Sequence, residues 1–115
     1  MNPETPIQNL IRLFLSKIGV INWRNNTGAL KDKDGRLVRY GLHPGSSDII
    51  AIKSVIITPE MVGTRVGIFT AIEVKVPGKG AKPHQRRFLA AVKNAGGLAG
   101  VAHNKAEAKA ILRGD

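Results

Sequence analysis

Two apolar runs of strand length, separated by a turn-rich segment, constrain the fold of this chain more than any other feature. The first run is Ile49-Ile50-Ala51-Ile52, and the second covers residues 68–76. The segment between them, residues 58–64, contains Pro59 and Gly63. Apolar runs of this length on either side of turn residues are typical of an antiparallel hairpin. The sequence therefore predicts a central β-hairpin.

Three charged residues lie within or beside these runs. Asp48 immediately precedes the first run, and Glu73 and Lys75 interrupt the second. The point midway between Asp48 and Glu73 falls inside the turn, so a hairpin would place the two carboxylates opposite each other. Side chains alternate along a strand, which puts Glu73 and Lys75 on the same face. Charged groups are rare in apolar surroundings unless they are paired or hold a metal, and we therefore predict a functional cluster.

The residue types in this cluster suit phosphodiester chemistry. Carboxylate oxygens, a backbone carbonyl and water are the ligands that Mg²⁺ and Mn²⁺ prefer. A metal held by Asp48 and Glu73 would polarise a phosphoryl oxygen and lower the pKa of a bound water. Lys75 would hold the water or offset charge that develops on the phosphoryl group. Gln85 would orient the lysine or the water, and Glu4 would complete an outer shell or a second metal site.

The charge balance points to a polyanionic partner. Lysine and arginine number 18 against 8 aspartate and glutamate residues, which gives a net charge of +10 at pH 7. A small domain this basic usually binds nucleic acid. A run of charges is often only a solvated face, but this one adjoins the carboxylates. The predicted phosphate contacts are Arg24, Lys79, Lys82, Arg86 and Arg87.

Length and composition favour one globular domain over residues 1–115, since 43% of the 115 residues are hydrophobic and can form a core. The chain has no cysteine, so disulfides and thiolate metal sites are excluded. No apolar run approaches the roughly 20 residues of a membrane span. The N-terminus lacks the basic and apolar segments of a signal peptide. We expect a cytoplasmic protein without membrane association.

A first helix is predicted over residues 5–18. Thr5-Pro6-Ile7-Gln8 has the residue types of a capping box, with proline at the first helical position, and Gly19 would end the helix. If Thr5 is the cap, Glu4 lies just outside the helix and its direction stays open. The apolar residues recur every three or four positions, the spacing of one helical face: Ile7, Leu10, Ile11, Phe14, Leu15 and Ile18.

The remaining elements alternate between strands and helices. Gln85 begins a helical stripe that continues with Phe88, Leu89 and Val92, which indicates that Gln85 faces inward. Together with the central hairpin, these elements indicate an α/β sandwich around a mixed sheet. The predicted strands are residues 20–24, 37–40 and 98–102, with a charged hairpin tip at 31–36. The predicted helices are one that starts near residue 83 and stops at 94–97, and one at 105–112 that is capped by Asn104.

The ordered set of motifs resembles the PD-(D/E)xK nuclease superfamily and, more closely, a stand-alone VRR-NUC (virus-type replication-repair nuclease) domain. Glu-x-Lys alone is common by chance, but the set at these spacings is specific. Ser47 stands where the superfamily's Pro-Asp pair has proline, a variation that VRR-NUC domains accept. The matching parts span nearly the whole chain: Glu4, Trp23-Arg24-Asn25-Asn26-Thr27-Gly28, Tyr40-Gly41-Leu42, Gly45-Ser46-Ser47-Asp48, Ile72-Glu73-Val74-Lys75, His84-Gln85-Arg86 and residues 95–101.

The resemblance implies a restriction-endonuclease-like sandwich and a metal-dependent DNA endonuclease. It implies that Asp48, Glu73 and the Val74 carbonyl bind Mg²⁺ or Mn²⁺. Lys75 is then the catalytic lysine. Gln85 becomes a supporting active-site residue and Glu4 an additional acidic one.

Small stand-alone members are similar to phage-type Holliday-junction resolvases and often act as dimers on branched DNA. The resemblance thus implies a phage or prophage protein in a bacterial or phage-infected cell, acting in DNA repair on branched, flapped or junction DNA. A homodimer is also suggested by residues 37–42, where Leu37, Val38, Tyr40 and Leu42 form a stretch that a small core does not fully cover.

Other interpretations stay open. A non-catalytic basic module that binds nucleic acid explains the charge equally well but leaves the inward carboxylates unexplained. A nuclease fold that has lost activity is opposed by the intact Asp48, Glu73 and Lys75. If these residues have no catalytic role, Asp48 and Glu73 are a solvated or salt-bridged pair at a sheet edge, and Lys75 is a surface residue that pairs with Glu73. Gln85 and Glu4 are then exposed. The three histidines are too scattered in sequence for a zinc site.

Overall fold

The computed structural model describes residues 3–115 and has a mixed α/β fold. The chain divides into two compact units, Met1–Lys53 and Ser54–Asp115. In the described residues, three α-helices accompany two antiparallel strand pairs and one parallel pair. Mixed α/β architecture was predicted and is confirmed, whereas the single domain and the sandwich arrangement stay predictions. No helix in residues 3–115 is long and apolar enough to cross a membrane.

The first unit begins with helix α1 (Glu4–Lys17), which agrees with the predicted helix to within one residue. The predicted capping box at Thr5 was wrong, because the helix starts after Pro3 and no side chain caps it. Pro3 already has helical dihedral angles (φ −65°, ψ −16°), close to those its ring prefers, so the first turn starts before Thr5. Gly19 ends the helix with a φ of 79°, which glycine adopts without strain.

Helix α1 packs against strand β1 (Ile21–Arg24), and Asn22 links the two. Its side-chain oxygen accepts from Arg12 Nε at 3.1 Å, and its nitrogen donates to Ser16 Oγ at 3.1 Å. The apolar stripe predicted for α1 is present but largely exposed, since only Leu15 among its members is even half-buried.

Two antiparallel pairs complete the first unit. Strand β1 pairs with β4 (Ile49–Ile52), and Ile21 lies opposite Ile52. Strands β2 (Gly28–Lys31) and β3 (Leu37–Tyr40) form a hairpin. Asp32 closes its tip, because its carboxylate accepts from the backbone N–H groups of Asp34 and Arg36, both at 2.9 Å. The charged hairpin tip predicted at residues 31–36 is thus confirmed.

The second unit is a parallel strand pair with two helices. Strand β5 (Thr70–Val74) is followed by α2 (Pro83–Asn94), and the chain then returns as β6 (Leu98–Ala102), parallel to β5. Helix α3 (Lys105–Arg113) packs on β6 and is capped by Asn104, as predicted.

The core of this unit includes the fully buried Val92 of α2 and the buried Ile111 of α3. A Cβ on Gly100 would lie 2.8 Å from Ile111 Cγ1, so the absent side chain is what lets α3 approach β6 so closely.

The two strands of the predicted central hairpin do not pair with each other in the structure. Strand β4 pairs with β1, and β5 pairs with β6. The connection over residues 53–69 includes a 3₁₀ helix (Pro59–Met61) and is much longer than the roughly two to five residues that close a hairpin. Helix α2, in contrast, supplies the crossover that a parallel pair needs. The prediction that a hairpin sets Asp48 opposite Glu73 was therefore wrong, because β4 and β5 do not pair with each other.

Candidate active site

Strand β5 and the residue after it bring two of the predicted site residues together. Glu73 lies in β5, and the backbone N–H of Lys75 donates to the Ala102 carbonyl at 3.1 Å, which extends the pairing with β6 by one residue. The Lys75 Nζ atom is 3.9 Å from Glu73 Oε2. The predicted common face of Glu73 and Lys75 is thus confirmed.

In this segment the two charged side chains are less exposed than the valine between them, the opposite of what hydrophobicity alone would produce. The side chains of Lys75 and Glu73 are 18% and 30% exposed, whereas Val74 between them is 74% exposed. A separation of 3.9 Å is too long for a hydrogen bond, so the pair is held by charge alone. Because desolvating two charges offsets most of their attraction, such a pair is weak evidence for a role in stability. The Glu73 oxygens keep lone pairs for a further ligand.

Asp48 belongs to the first unit and directly precedes β4. Its residue is exposed, and no side chain of residues 3–53 bonds its carboxylate. Its backbone carbonyl accepts from the Asn25 N–H at 2.8 Å, which extends the β1–β4 pairing by one residue. The backbone at Asp48 is therefore held by the sheet, while the carboxylate stays open to a ligand.

Asn25 is a residue of this region that the sequence analysis did not single out. It is 8% exposed, and its side chain bonds Leu42, Ser46 and Ser47 in the loop before Asp48. Its position in Asn25-Asn26-Thr27-Gly28 made it look like an ordinary turn residue. The signal that distinguishes it is its place one residue after β1, where a side chain at the strand end can reach a neighbouring loop.

Gln85 caps helix α2. It is half-buried, and its side-chain oxygen accepts from the Lys82 backbone N–H at 2.8 Å, which satisfies a donor at the helix start. Its NH₂ group has no partner in residues 54–115. The structural role of Gln85 is thus visible, and its predicted part in the active site stays a prediction.

The predicted phosphate contacts and Glu4 are distributed over both units. Arg24 of β1 and Glu4, in the first turn of α1, are exposed residues of the first unit. Four exposed basic residues of the second unit surround the start of α2, where helix dipole and charge both favour an anion. Arg86 also donates to the Ala81 carbonyl at 2.5 Å, so its guanidinium is partly engaged. The four are Lys79, Lys82, Arg86 and Arg87.

His103 connects the loop after β5 to helix α3. Its Nε2 lies 2.6 Å from the Lys79 carbonyl oxygen, and its Nδ1 lies 2.8 Å from Glu107 Oε1. Both partners are acceptors, so the doubly protonated ring suits this geometry. The Lys79 carbonyl, followed by Glu107, raises the pKa of His103. The His103 backbone N–H, followed by its ring, lowers the pKa of Glu107.

The donor set fits Mg²⁺ or Mn²⁺ better than a softer metal. In residues 3–115 no group of three or more histidine, aspartate or glutamate side chains is placed to hold a metal. A bound metal would therefore take few side-chain ligands and complete its shell with backbone carbonyls and water. Carboxylate and carbonyl oxygens are ligands of this kind, because hard divalent cations prefer oxygen and keep several waters.

Comparison with known proteins identifies the family. The family model described as VRR-NUC domain matches residues 2–106 of the 115-residue chain. The match runs through both units and includes Asp48, Glu73 and Lys75. Searches of curated proteins and of solved structures found no significant match. Because the family match covers nearly the whole chain, this protein belongs to the VRR-NUC family of nucleases.

Proposed function

We propose that this protein is a metal-dependent endonuclease that hydrolyses phosphodiester bonds in DNA. One observation carries the proposal: in a chain of the VRR-NUC family, Glu73 and Lys75 turn inward while Val74, between them, is exposed. A strand that only supports a core would turn the valine inward. A strand that presents a metal ligand (Glu73) and a cation (Lys75) to a substrate would instead leave the valine exposed, as observed.

We assign each residue of the predicted site a role. Asp48, Glu73 and the Val74 carbonyl bind Mg²⁺ or Mn²⁺. A metal held there would polarise the phosphoryl group and lower the pKa of a water molecule beside it. Lys75 orients that water and offsets the negative charge that grows on the phosphoryl oxygens as the bond to the leaving oxygen breaks. Gln85 supports this arrangement through its NH₂ group, and Glu4 contributes a further acidic side chain.

The charge of the protein supports a nucleic acid substrate. The basic residues at the start of α2 belong to the same unit as Glu73 and Lys75. Their cationic groups would bind phosphates on either side of the bond that is cut, and a net charge of +10 would speed association with DNA. We propose that the substrate is branched, flapped or junction DNA.

We also propose that the protein acts as a homodimer. One active site cuts one strand, and two sites related by a two-fold axis are the simplest arrangement for a two-stranded substrate. Exposed apolar residues on β3 and just after it support this proposal: Leu37, Val38, Tyr40 and Leu42. Sedimentation equilibrium without DNA should give about twice the 12.3 kDa chain mass, and a monomer that still cuts junctions would remove the dimer from the mechanism.

The test of the proposed function is cleavage of a DNA panel. Linear, flapped, bubble and four-way-junction DNAs are incubated with the protein and Mg²⁺, Mn²⁺ or chelator. We expect metal-dependent cleavage that is lost in Asp48→Asn and in Glu73→Gln. Asp34→Asn is the matched control, because it removes the same charge at the exposed hairpin tip and should leave the rate unchanged.

Two results would contradict the proposal. If the parent protein binds these DNAs but cuts none of them with either metal, it is a binding module. If Asp48→Asn and Glu73→Gln both cut at the parent rate, the activity belongs to other residues.

A further inference from the structure

Asn25 is the one buried polar residue in residues 3–115. Its amide group makes three of the four hydrogen bonds that it can form. The side-chain nitrogen donates to Ser46 Oγ at 2.7 Å and to the Ser47 carbonyl at 2.9 Å, and the side-chain oxygen accepts from the Leu42 N–H at 3.1 Å. A buried amide that is satisfied by three groups of one loop holds that loop in one arrangement.

The loop in question, residues 41–48, has little support of its own. Nearly all of its residues are exposed, and Gly41 and Gly45 have φ values of 83° and 85°. One internal backbone bond, from the Ser46 N–H to the His43 carbonyl at 2.9 Å, closes a turn in it. The contacts with Asn25 therefore supply much of what fixes its path.

The backbone of Asn25 holds the end of the same loop. Its N–H donates to the Asp48 carbonyl at 2.8 Å, at the point where the loop enters β4. Asn25 thus bonds the Asp48 backbone itself and three residues of the loop that leads to it: Leu42, Ser46 and Ser47.

We propose that Asn25 is a positioning residue that preorganises Asp48 for metal binding. This inference rests on the proposed function, in which the Asp48 carboxylate is a metal ligand. Asn25 does not contact the Asp48 carboxylate. It acts by fixing the backbone of Asp48 and of the loop before it. If the loop were free, metal binding would have to order it, and the lost entropy would weaken the affinity.

The chemistry explains why the residue is asparagine. The Ser47 carbonyl can only accept a hydrogen bond and the Leu42 N–H can only donate one. An amide offers both a donor and an acceptor, whereas an aspartate would turn an acceptor toward the Ser47 carbonyl. Asn25→Asp keeps the shape and the bond to Leu42, and the Ser46 hydroxyl can turn to donate to the carboxylate, but the carboxylate faces the Ser47 carbonyl with an acceptor and loses that bond. Asn25→Asp should therefore weaken metal binding as well.

The test compares Asn25 with Asn22, which lies in the strand that Asn25 follows. Asn22 also makes three side-chain hydrogen bonds, but to Arg12, Ser16 and Val20, away from the loop. Mn²⁺ affinity is measured by calorimetry, and thermal unfolding is measured without metal. We expect Asn25→Ala to weaken Mn²⁺ binding by about 10–100-fold, as is typical when a group that orients a metal ligand is removed. Asn22→Ala should lower the melting temperature without this loss of affinity.

The design separates failure of this inference from failure of the proposed function. If Mn²⁺ binding by the parent protein does not depend on Asp48, tested with Asp48→Asn, the proposed metal site is wrong. If the parent shows that dependence and Asn25→Ala binds Mn²⁺ as tightly as the parent, Asn25 is only structural.

Amide hydrogen exchange tests the same inference on the parent protein, so the result does not depend on whether a variant folds. The Leu42 amide should exchange slowly compared with the exposed His43 amide next to it. Equal exchange of the two would show that the Asn25 contact does not hold the loop, and would overturn the inference.

Discussion

Replacement of Lys75 by methionine separates a catalytic lysine from a structural ion pair. Methionine keeps most of the apolar stem and removes the ammonium group, 3.9 Å from Glu73 Oε2. Coulomb's law at this distance gives about 1 kcal/mol in water and about 4 kcal/mol at an effective dielectric constant of 20. The pair is partly exposed and has no hydrogen bond, so after desolvation we expect its net contribution to stability to be below about 1 kcal/mol.

The expected effect on catalysis is larger. Loss of one group that stabilises developing charge costs about 100-fold or more in rate, or roughly 2.7 kcal/mol in the barrier. Lys75→Met should therefore unfold at nearly the parent temperature, bind DNA and metal, and cut at least about 100-fold more slowly. Single-turnover cleavage measures the rate, and fluorescence anisotropy measures DNA binding. Lys109→Met, which removes an exposed charge from α3, is the matched control and should cut normally.

Two outcomes would refute this reasoning. If Lys75→Met loses DNA binding and cleavage in equal proportion, Lys75 is a phosphate contact rather than a catalytic group. If the variant loses several kcal/mol of stability, the pair with Glu73 is a structural element and the reversed exposure of β5 needs another explanation.

Three further predictions follow from the second unit. Ile111→Ala should destabilise the protein by about 2–4 kcal/mol, because the buried side chain that fills the space over Gly100 is lost; urea unfolding measures this, and a loss below about 1 kcal/mol would contradict the packing. The raised pKa of His103 means that its contacts stabilise the fold below the ordinary histidine pKa, and that this contribution is lost as the pH rises through the raised value. The melting temperature of the parent relative to His103→Gln should therefore fall as the pH rises from about 6 to 8.5, and a constant difference would refute the link. With about four to six phosphates neutralised, log K for DNA should fall against log salt with a slope near −4 to −5. Replacing Lys82 and Arg87 by glutamate should flatten it by about one unit per contact, and a matched Lys105 and Lys109 reversal should not.

Much of the secondary structure could be predicted because its signals are local. The spacing of apolar residues in α1 and the asparagine cap of α3 act within one or two turns of chain. The charged tip of the β2–β3 hairpin is equally local, since Asp32 closes it through bonds to residues two and four positions away. The common face of Glu73 and Lys75 follows from strand alternation alone.

Strand pairing could not be predicted from local signals, because it depends on parts of the chain that are far apart in sequence. The runs at residues 49–52 and 68–76 look like the two arms of a hairpin, yet β4 pairs with β1 and β5 with β6. Apolar patterning shows that a strand is buried on a face but not which strand lies beside it. The long connection over residues 53–69 and the helical crossover through α2 decided the pairing.

The sequence by itself determined the residue types of the candidate site and the family to which the chain belongs. Asp48, Glu73 and Lys75 stand out because charged groups within apolar runs need a reason. Tertiary structure alone decided the role of Asn25, whose sequence neighbours are turn residues and whose three side-chain partners lie 17 to 22 positions away. A buried amide acquires its function from the groups that fold around it, and those groups leave no periodic signal in the sequence.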